Sequence, residues 1–202
     1  MPGMYRDDEY DLAGMIVGVV EKKEIINGKR IRSGDVLIGI PSSGLHTNGF
    51  SLARKVLFDR FSVDQHVAEL GTTVGDALLS VHRSYLGVVK EVTKNVDIRG
   101  LSHITGGGIV GNTMRVLPKG LALQIDWSAW ELPPLFRLIR ETGDVPEEDM
   151  RRTFNLGIGL VMIVHNKEVE KTLKVLKKKG ERGILIGEVV RQKRGRNESP
   201  TV

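Results

Sequence analysis

With 202 residues, 40 % of them hydrophobic and 27 % charged, the chain holds material for one substantial core and reads as a single globular domain. No apolar run approaches the roughly 20 residues of a membrane span, Met1–Asp11 lacks the basic and apolar regions of a signal peptide, and the absence of cysteine excludes disulfides and thiolate zinc sites and fits a cytoplasmic protein. The net charge of +5 is concentrated: residues 167–196 carry eleven Lys/Arg against four Asp/Glu, a basic helix face and tail without the aromatic interleaving of a nucleic-acid surface.

In chain order, residues 1–12 are expected as an extended acidic segment, 13–190 as one domain and 191–202 as a disordered tail. Residues 13–22, with Met15, Ile16, Val17, Val19 and Val20, predict a strand. A buried strand follows at 35–41, bounded by Gly34 and Pro41. The loop 42–48 (Ser-Ser-Gly-Leu-His-Thr-Asn) then opens a helix over 49–60, with Asn48 as its cap and Gly49 as its first residue. Thr73 with Asp76 caps a long helix whose apolar stripe runs Val74, Leu78, Val81, Tyr85, Val88, Val89, Val92 and which contains His82. A second small-residue loop, Ser102–Gly108, enters a helix through Val116 that Pro118 stops. Beyond it come a strand at 120–126, a helix begun by Pro133-Pro134 and ending before Gly143, a helix at 147–152, a strand at 156–164, a helix at 167–179 and a strand at 183–190. Interleaved strands and helices predict an α/β (α+β) fold, with helices layered on a mixed sheet.

Two loops stand out chemically. Ser42, Ser43, His46, Thr47 and Asn48 place small polar groups where a helix N-terminus favours an anion. Gly106-Gly-Gly-Ile-Val-Gly-Asn112-Thr113 matches a phosphate-binding P-loop except that Asn112 stands in the lysine position, which argues against an autonomous nucleoside triphosphatase. Three successive glycines still permit close backbone approach to an oxyanion, or else serve a tight turn. His46 is the candidate acid/base. His103 reads as a local hydrogen-bonder, and His66, His82 and His165 have no sequence constellation. Asn155, before the strand containing Gly157 and Gly159, reads as a ligand contact or a turn residue. No metal site is expected: His-x-x-x-His and paired-Asp patterns are absent, and Asp7, Asp8, Glu9 and Asp11 read as a solvated run. Ser42 and Ser43 do not sit in a G-x-S-x-G nucleophile elbow.

Met1-Pro-Gly-Met-Tyr5, Asp11 with Ala13-Gly14, the Gly34–Ser51 segment, Ile104-Thr-Gly-Gly-Gly-Ile109 and Arg152-Thr-Phe-Asn155 with Gly157 and Gly159 together resemble the phosphoribosylformylglycinamidine cyclo-ligases, the aminoimidazole ribonucleotide synthetases. The resemblance covers the whole chain, and Ser-Ser-Gly-x-His-x-Asn-Gly-Phe-Ser is its most specific segment. It implies the C-terminal lobe of an ATP-dependent ligase that closes formylglycinamidine ribonucleotide to 5-aminoimidazole ribonucleotide, with ATP and Mg2+ bound mostly by an N-terminal half. It also implies a homodimer for the complete enzyme, with no nucleic-acid or membrane partner. Carried onto this chain, Ser43, Asn48 and Gly49 would face substrate, Gly106, Gly107 and Gly108 would hold phosphate, Asn155 would be a polar contact and His46 would act in catalysis. The competing reading is a stand-alone anion-binding or interaction module. Selenophosphate synthetases and hydrogenase-maturation proteins, of the same superfamily, resemble it less in the His-Thr-Asn-Gly-Phe-Ser run.

Overall fold

The structure is a computed structural model that describes residues 13–192. The expectations for residues 1–12 and 193–202 lie outside them. Strands β1 (Val36–Pro41), β4 (Ile98–His103), β5 (Leu121–Ile125), β6 (Ile158–Val164) and β7 (Ile184–Arg191) form one sheet in the order β4-β6-β1-β7-β5, and β2 (His66–Val67) pairs with β3 (Thr72–Thr73). Every pairing in the larger sheet is antiparallel, so the layered α/β class holds while the sheet is not mixed in direction.

All seven residues of β6 are buried, as are the four central residues of β1. Strands covered on both faces read as continuous apolar runs rather than alternating ones. Along β6, Leu160, Met162 and Val164 pack on one face with Ile38, Ile40, Val88, Val92 and Leu176, so α3 (Leu86–Asn95) and α7 (Val169–Lys178) cover that side. Ile158, Val161 and Ile163 point the other way, to Leu37, Ile104, Ile109, Ile186 and Val189, with α4 (Gly108–Met114) on that side. A third cluster joins α1 (Phe50–Leu57), α2 (Val74–Leu78), α5 (Pro134–Gly143) and α6 (Glu147–Thr153) around Phe136, Ile139 and Phe154.

Three expectations fail for physical reasons. Residues 13–21 form no strand: Met15, Ile16 and Val19 are 92, 96 and 100 % exposed, so the apolar pattern is there but nothing among the described residues pairs with it. The long helix breaks. Thr73 does cap α2, its hydroxyl accepting from Asp76 N–H at 3.1 Å, but α2 ends at Leu78 and α3 starts at Leu86. Leu79 and Val81 are exposed, so the stripe that suggested one helix is not a buried face. Between the two helices, residues 79–85 carry His82 outside any helix. Helix α1 starts one residue late, because Gly49 (φ 78°) is its left-handed cap and Asn48 turns back to donate to His46 O at 2.9 Å. The 120–126, 147–152, 156–164 and 183–190 elements appear within two residues of their expected ends.

Asp35, 1 % exposed, holds the base of β1: it accepts from Arg99 Nη1 at 2.6 Å and from Arg32 N–H at 2.9 Å. Asp35→Ala strands the Arg99 guanidinium and is expected to cost about 3 kcal/mol in urea unfolding. Arg30→Ala breaks an exposed pair with Asp97 and is expected to stay within about 0.5 kcal/mol of wild type. Equal losses from the two changes would refute the assignment.

Candidate functional site

Topology brings the motif segments together. β1 and β4 each pair antiparallel with β6, so they run parallel to one another and end on the same side, beside the start of β6. Pro41 lies opposite Ile158 and His103 opposite Leu160. The 42–49 loop leaves β1, the 104–108 loop leaves β4, and residues 154–157 lead into β6 between them. The loops meet directly, since a Cβ on Gly106 would stand 3.4 Å from Asn48 Oδ1.

Each segment has left-handed backbone. Positive φ occurs at His46 (54°), Thr47 (64°) and Gly49, at Gly107 (102°) and Gly108 (64°), and at Leu156 (51°) and Gly157 (97°). A β-branched residue such as Thr47 adopts this region only under constraint. The constraint is visible: Thr47 Oγ1 and Asn48 Nδ2 both donate to His46 O, at 2.6 and 2.9 Å.

Asn155, 2 % exposed, ties the segments. Its Oδ1 accepts from Ser42 Oγ at 2.9 Å and from Gly157 N–H at 2.8 Å, and its Nδ2 donates to Gly44 O at 2.8 Å. In the glycine loop, Gly107 N–H donates to Arg152 O and Gly108 N–H to Thr105 O, which leaves Gly106 the only one of the three without a backbone partner. Asn112, in the lysine position of the P-loop pattern, is buried and donates to Thr105 O and Gly108 O, at 3.1 and 2.8 Å. Its amide braces the loop from inside.

His46 is 2 % exposed. Its Nε2 accepts from Ser43 N–H at 3.0 Å and stands 2.9 Å from Ser43 Oγ, while Nδ1 is buried without a partner. Burial, with His82, His103 and Arg83 nearby, lowers its pKa to about 4, so it is neutral at pH 7 and a poor proton donor there. The surrounding cluster escaped sequence reasoning. His46 stacks on His82 with ring centroids 4.1 Å apart, and His82 Nε2 lies 3.2 Å from His103 Nε2. The three come from separate segments, so no spacing rule could have joined them. The only prior signal was that His46 and His103 each lie in a loop that also carries a small-residue motif.

Because His46 titrates near 6.5 when unfolded and about 4 when folded, the unfolded chain binds more protons between those values. Stability contributed by neutral His46 is therefore complete above pH 6.5 and drains as pH falls towards 4, by about 3 kcal/mol in total. The charges facing it are His82, His103 and Arg83, the last paired with Glu181. Urea unfolding of wild type and His46→Gln over this range, in chelator, should show a steeper loss of stability in wild type, His103 contributing to both. Parallel curves would refute it.

Of two surface hollows, the larger, about 400 Å3, lies between α1 and α6 around Val56, Gly143 and Asp149, away from these loops. The other, about 220 Å3, is lined by Ser42, Ser43, Gly44, Pro133 and Phe136 among others. Neither takes in Gly106–Gly108.

Residues 32–198 match the family model described as AIR synthase related protein, C-terminal domain. The phosphoribosylformylglycinamidine cyclo-ligase of Caldanaerobacter subterraneus subsp. tengcongensis is 49 % identical over 192 residues, 94 % of this chain and 57 % of that protein. The chain thus spans little more than half the length of such relatives, matching their C-terminal part. Among solved structures, thiamine-monophosphate kinase from Stenotrophomonas maltophilia superposes with a TM-score of 0.59 at 12 % identity, over 86 % of this chain and 53 % of that one. E. coli HypE, a hydrogenase maturation protein, gives 0.53 at 22 %, over 82 and 47 %. At those identities the likeness is one of fold. The chain belongs to the AIR synthase related family and corresponds to its C-terminal domain.

Proposed function

We propose that this chain is the C-terminal lobe of an ATP-dependent cyclo-ligase that converts formylglycinamidine ribonucleotide to 5-aminoimidazole ribonucleotide in de novo purine biosynthesis, in the cytoplasm. The observation that carries the reading is the convergence of the 42–49, 104–108 and 154–157 segments, in a chain 49 % identical to a cyclo-ligase over 94 % of its length. Ring closure requires a ribose phosphate, a nucleophile and an activated carbon held in attack geometry. Ser43, Asn48 and Gly49 form the substrate-facing wall. Gly106 supplies the amide nearest to it, with Gly107 and Gly108 shaping the bend, their own N–H groups being engaged. Asn155 and neutral His46 hold the wall in place. Asn155 acts through the loop it binds rather than by touching substrate.

The described residues do not suit Mg2+ and ATP. Their one metal-compatible cluster is three imidazoles, whereas Mg2+ takes oxygen ligands, and Asn112 replaces the phosphate-binding lysine. Nucleotide and magnesium then belong to an N-terminal half, and homodimerisation to the complete enzyme. An unpaired apolar segment supports such a partner: Met15, Ile16, Val17 and Val19 are 80 to 100 % exposed, like a strand waiting for a sheet edge.

The test mixes the chain with a separately expressed N-terminal half. ATP-dependent cyclisation should appear only in the mixture, and two well-folded halves that fail to complement would count against the reading. The engaged glycine amides and the missing lysine favour one alternative, a stand-alone anion-binding or interaction module without catalysis. Calorimetry separates them, because a module binds a ribonucleotide monophosphate alone and gains nothing, in affinity or turnover, from the added half.

A further inference from the structure

We propose that His46, His82 and His103 form a binding site for a borderline divalent transition ion such as Zn2+, distinct from any magnesium that accompanies ATP. One ring nitrogen from each histidine lies within 4.8 Å of the others. The His82 and His103 Nε2 atoms are already 3.2 Å apart. Two imidazoles on a tetrahedral ion at 2.0–2.1 Å stand roughly 3.3 Å apart, so this pair has bound-state spacing before any ion arrives.

His46 supplies the independent observation. It is 2 % exposed, yet its Nδ1 has no hydrogen-bond partner, a costly arrangement for a buried ring nitrogen. An ion on Nδ1 would supply the missing partner. The ring hydrogen then resides on Nε2 and goes to Ser43 Oγ at 2.9 Å, Ser43 Oγ–H donates to Val81 O at 2.6 Å, and the Ser43 and Arg83 N–H groups, which otherwise donate to Nε2 at 3.0 and 3.4 Å, give up those bonds. A ligating histidine whose second nitrogen is held in this way has a fixed tautomer and orientation. Closing the third side requires half-exposed His82 to swing off its stack on His46 and exposed His103 to follow it, movements their surface positions allow.

The donor set determines the ion. Imidazole suits zinc, cobalt, nickel and copper, and hard Mg2+ takes oxygen instead. Three imidazoles leave a fourth position for water or an oxyanion. The three histidines come from the Ser42–Gly49 loop, residues 79–85 and the end of β4, so an ion would tie these three segments together. This inference does not depend on the cyclo-ligase reading.

The experiment titrates the chelator-treated chain with Co2+, read by visible absorption, and with Zn2+, read by calorimetry, alongside Mg2+. Wild type should bind one Co2+ with the intense bands of a tetrahedral site, bind one Zn2+ at the same site and take up no Mg2+ there. His82→Ala and His103→Ala should each weaken binding at least about tenfold while keeping the wild-type circular dichroism, because both side chains are at least partly exposed. His66→Ala and His165→Ala should bind like wild type. Absence of tetrahedral Co2+ bands, or equal affinity in wild type and the His82→Ala/His103→Ala double variant, would overturn the proposal. Either result leaves the complementation test untouched, so the two readings fail separately.

Discussion

Gly108→Ala is expected to prevent cooperative folding or to lower stability by about 2–5 kcal/mol, adding left-handed strain of 1–2 kcal/mol to an overpacking cost of 1–3 kcal/mol. The backbone at Gly108 has φ of 64°. A Cβ there would overlap Arg151 O and stand 3.0 Å from its carbonyl carbon and 3.2 Å from Phe154 O. All three obstacles are main-chain atoms at the end of α6, so no rotamer change relieves them. Gly106→Ala is the matched control. Gly106 is exposed, has no positive φ, and its added methyl would meet only Asn48 Oδ1 at 3.4 Å. Urea unfolding should separate the two variants widely. If Gly108→Ala unfolds at the same urea concentration as Gly106→Ala, the close docking of the glycine loop on α6 is wrong.

Asn155→Ala is expected to destabilise by about 2–4 kcal/mol, since an unsatisfied buried polar group costs 1–3 kcal/mol and one buried donor and one partly buried acceptor are left behind. Those two are Gly157 N–H and Gly44 O, and Ser42 Oγ loses its partner as well. Asn155→Asp makes the sharper comparison. It keeps an acceptor for Ser42 and Gly157 but sets a carboxylate oxygen against the Gly44 carbonyl in a buried site, so it should be no better than alanine at pH 7. Protonation of that carboxyl restores a donor, so Asn155→Asp should recover relative to Asn155→Ala as pH is lowered. Were Asn155 a ligand contact without a structural role, both variants would unfold like wild type and only substrate affinity would fall.

Local signals in the chain revealed most of the elements. Gly34 and Pro41 bracket β1, Thr73 and Asp76 begin α2, and Pro133-Pro134 begin α5, because each residue acts on the backbone within its own turn. Information carried by distant partners was not legible. β4 was missed because Ile-Arg-Gly-Leu-Ser-His has few apolar residues and forms a strand only against the fully buried β6. Residues 13–21 show the converse, a strand-like pattern with no partner among the described residues. The candidate site divides in the same way. Both loops were visible as motifs, but the engagement of the Gly107 and Gly108 amides, the bracing role of Asn112 and the meeting of His46, His82 and His103 depend on contacts across the fold.

The placement of β6 between β1 and β4 has a mechanical consequence. Both loops hang from neighbours of one rigid strand, and Asn155 fastens the lead-in of that strand to the first of them. Neither loop can travel without dragging the core with it. Under the proposed function, capture and release of a reactant would come from a partner closing over this domain, which would serve as the anvil rather than the jaw.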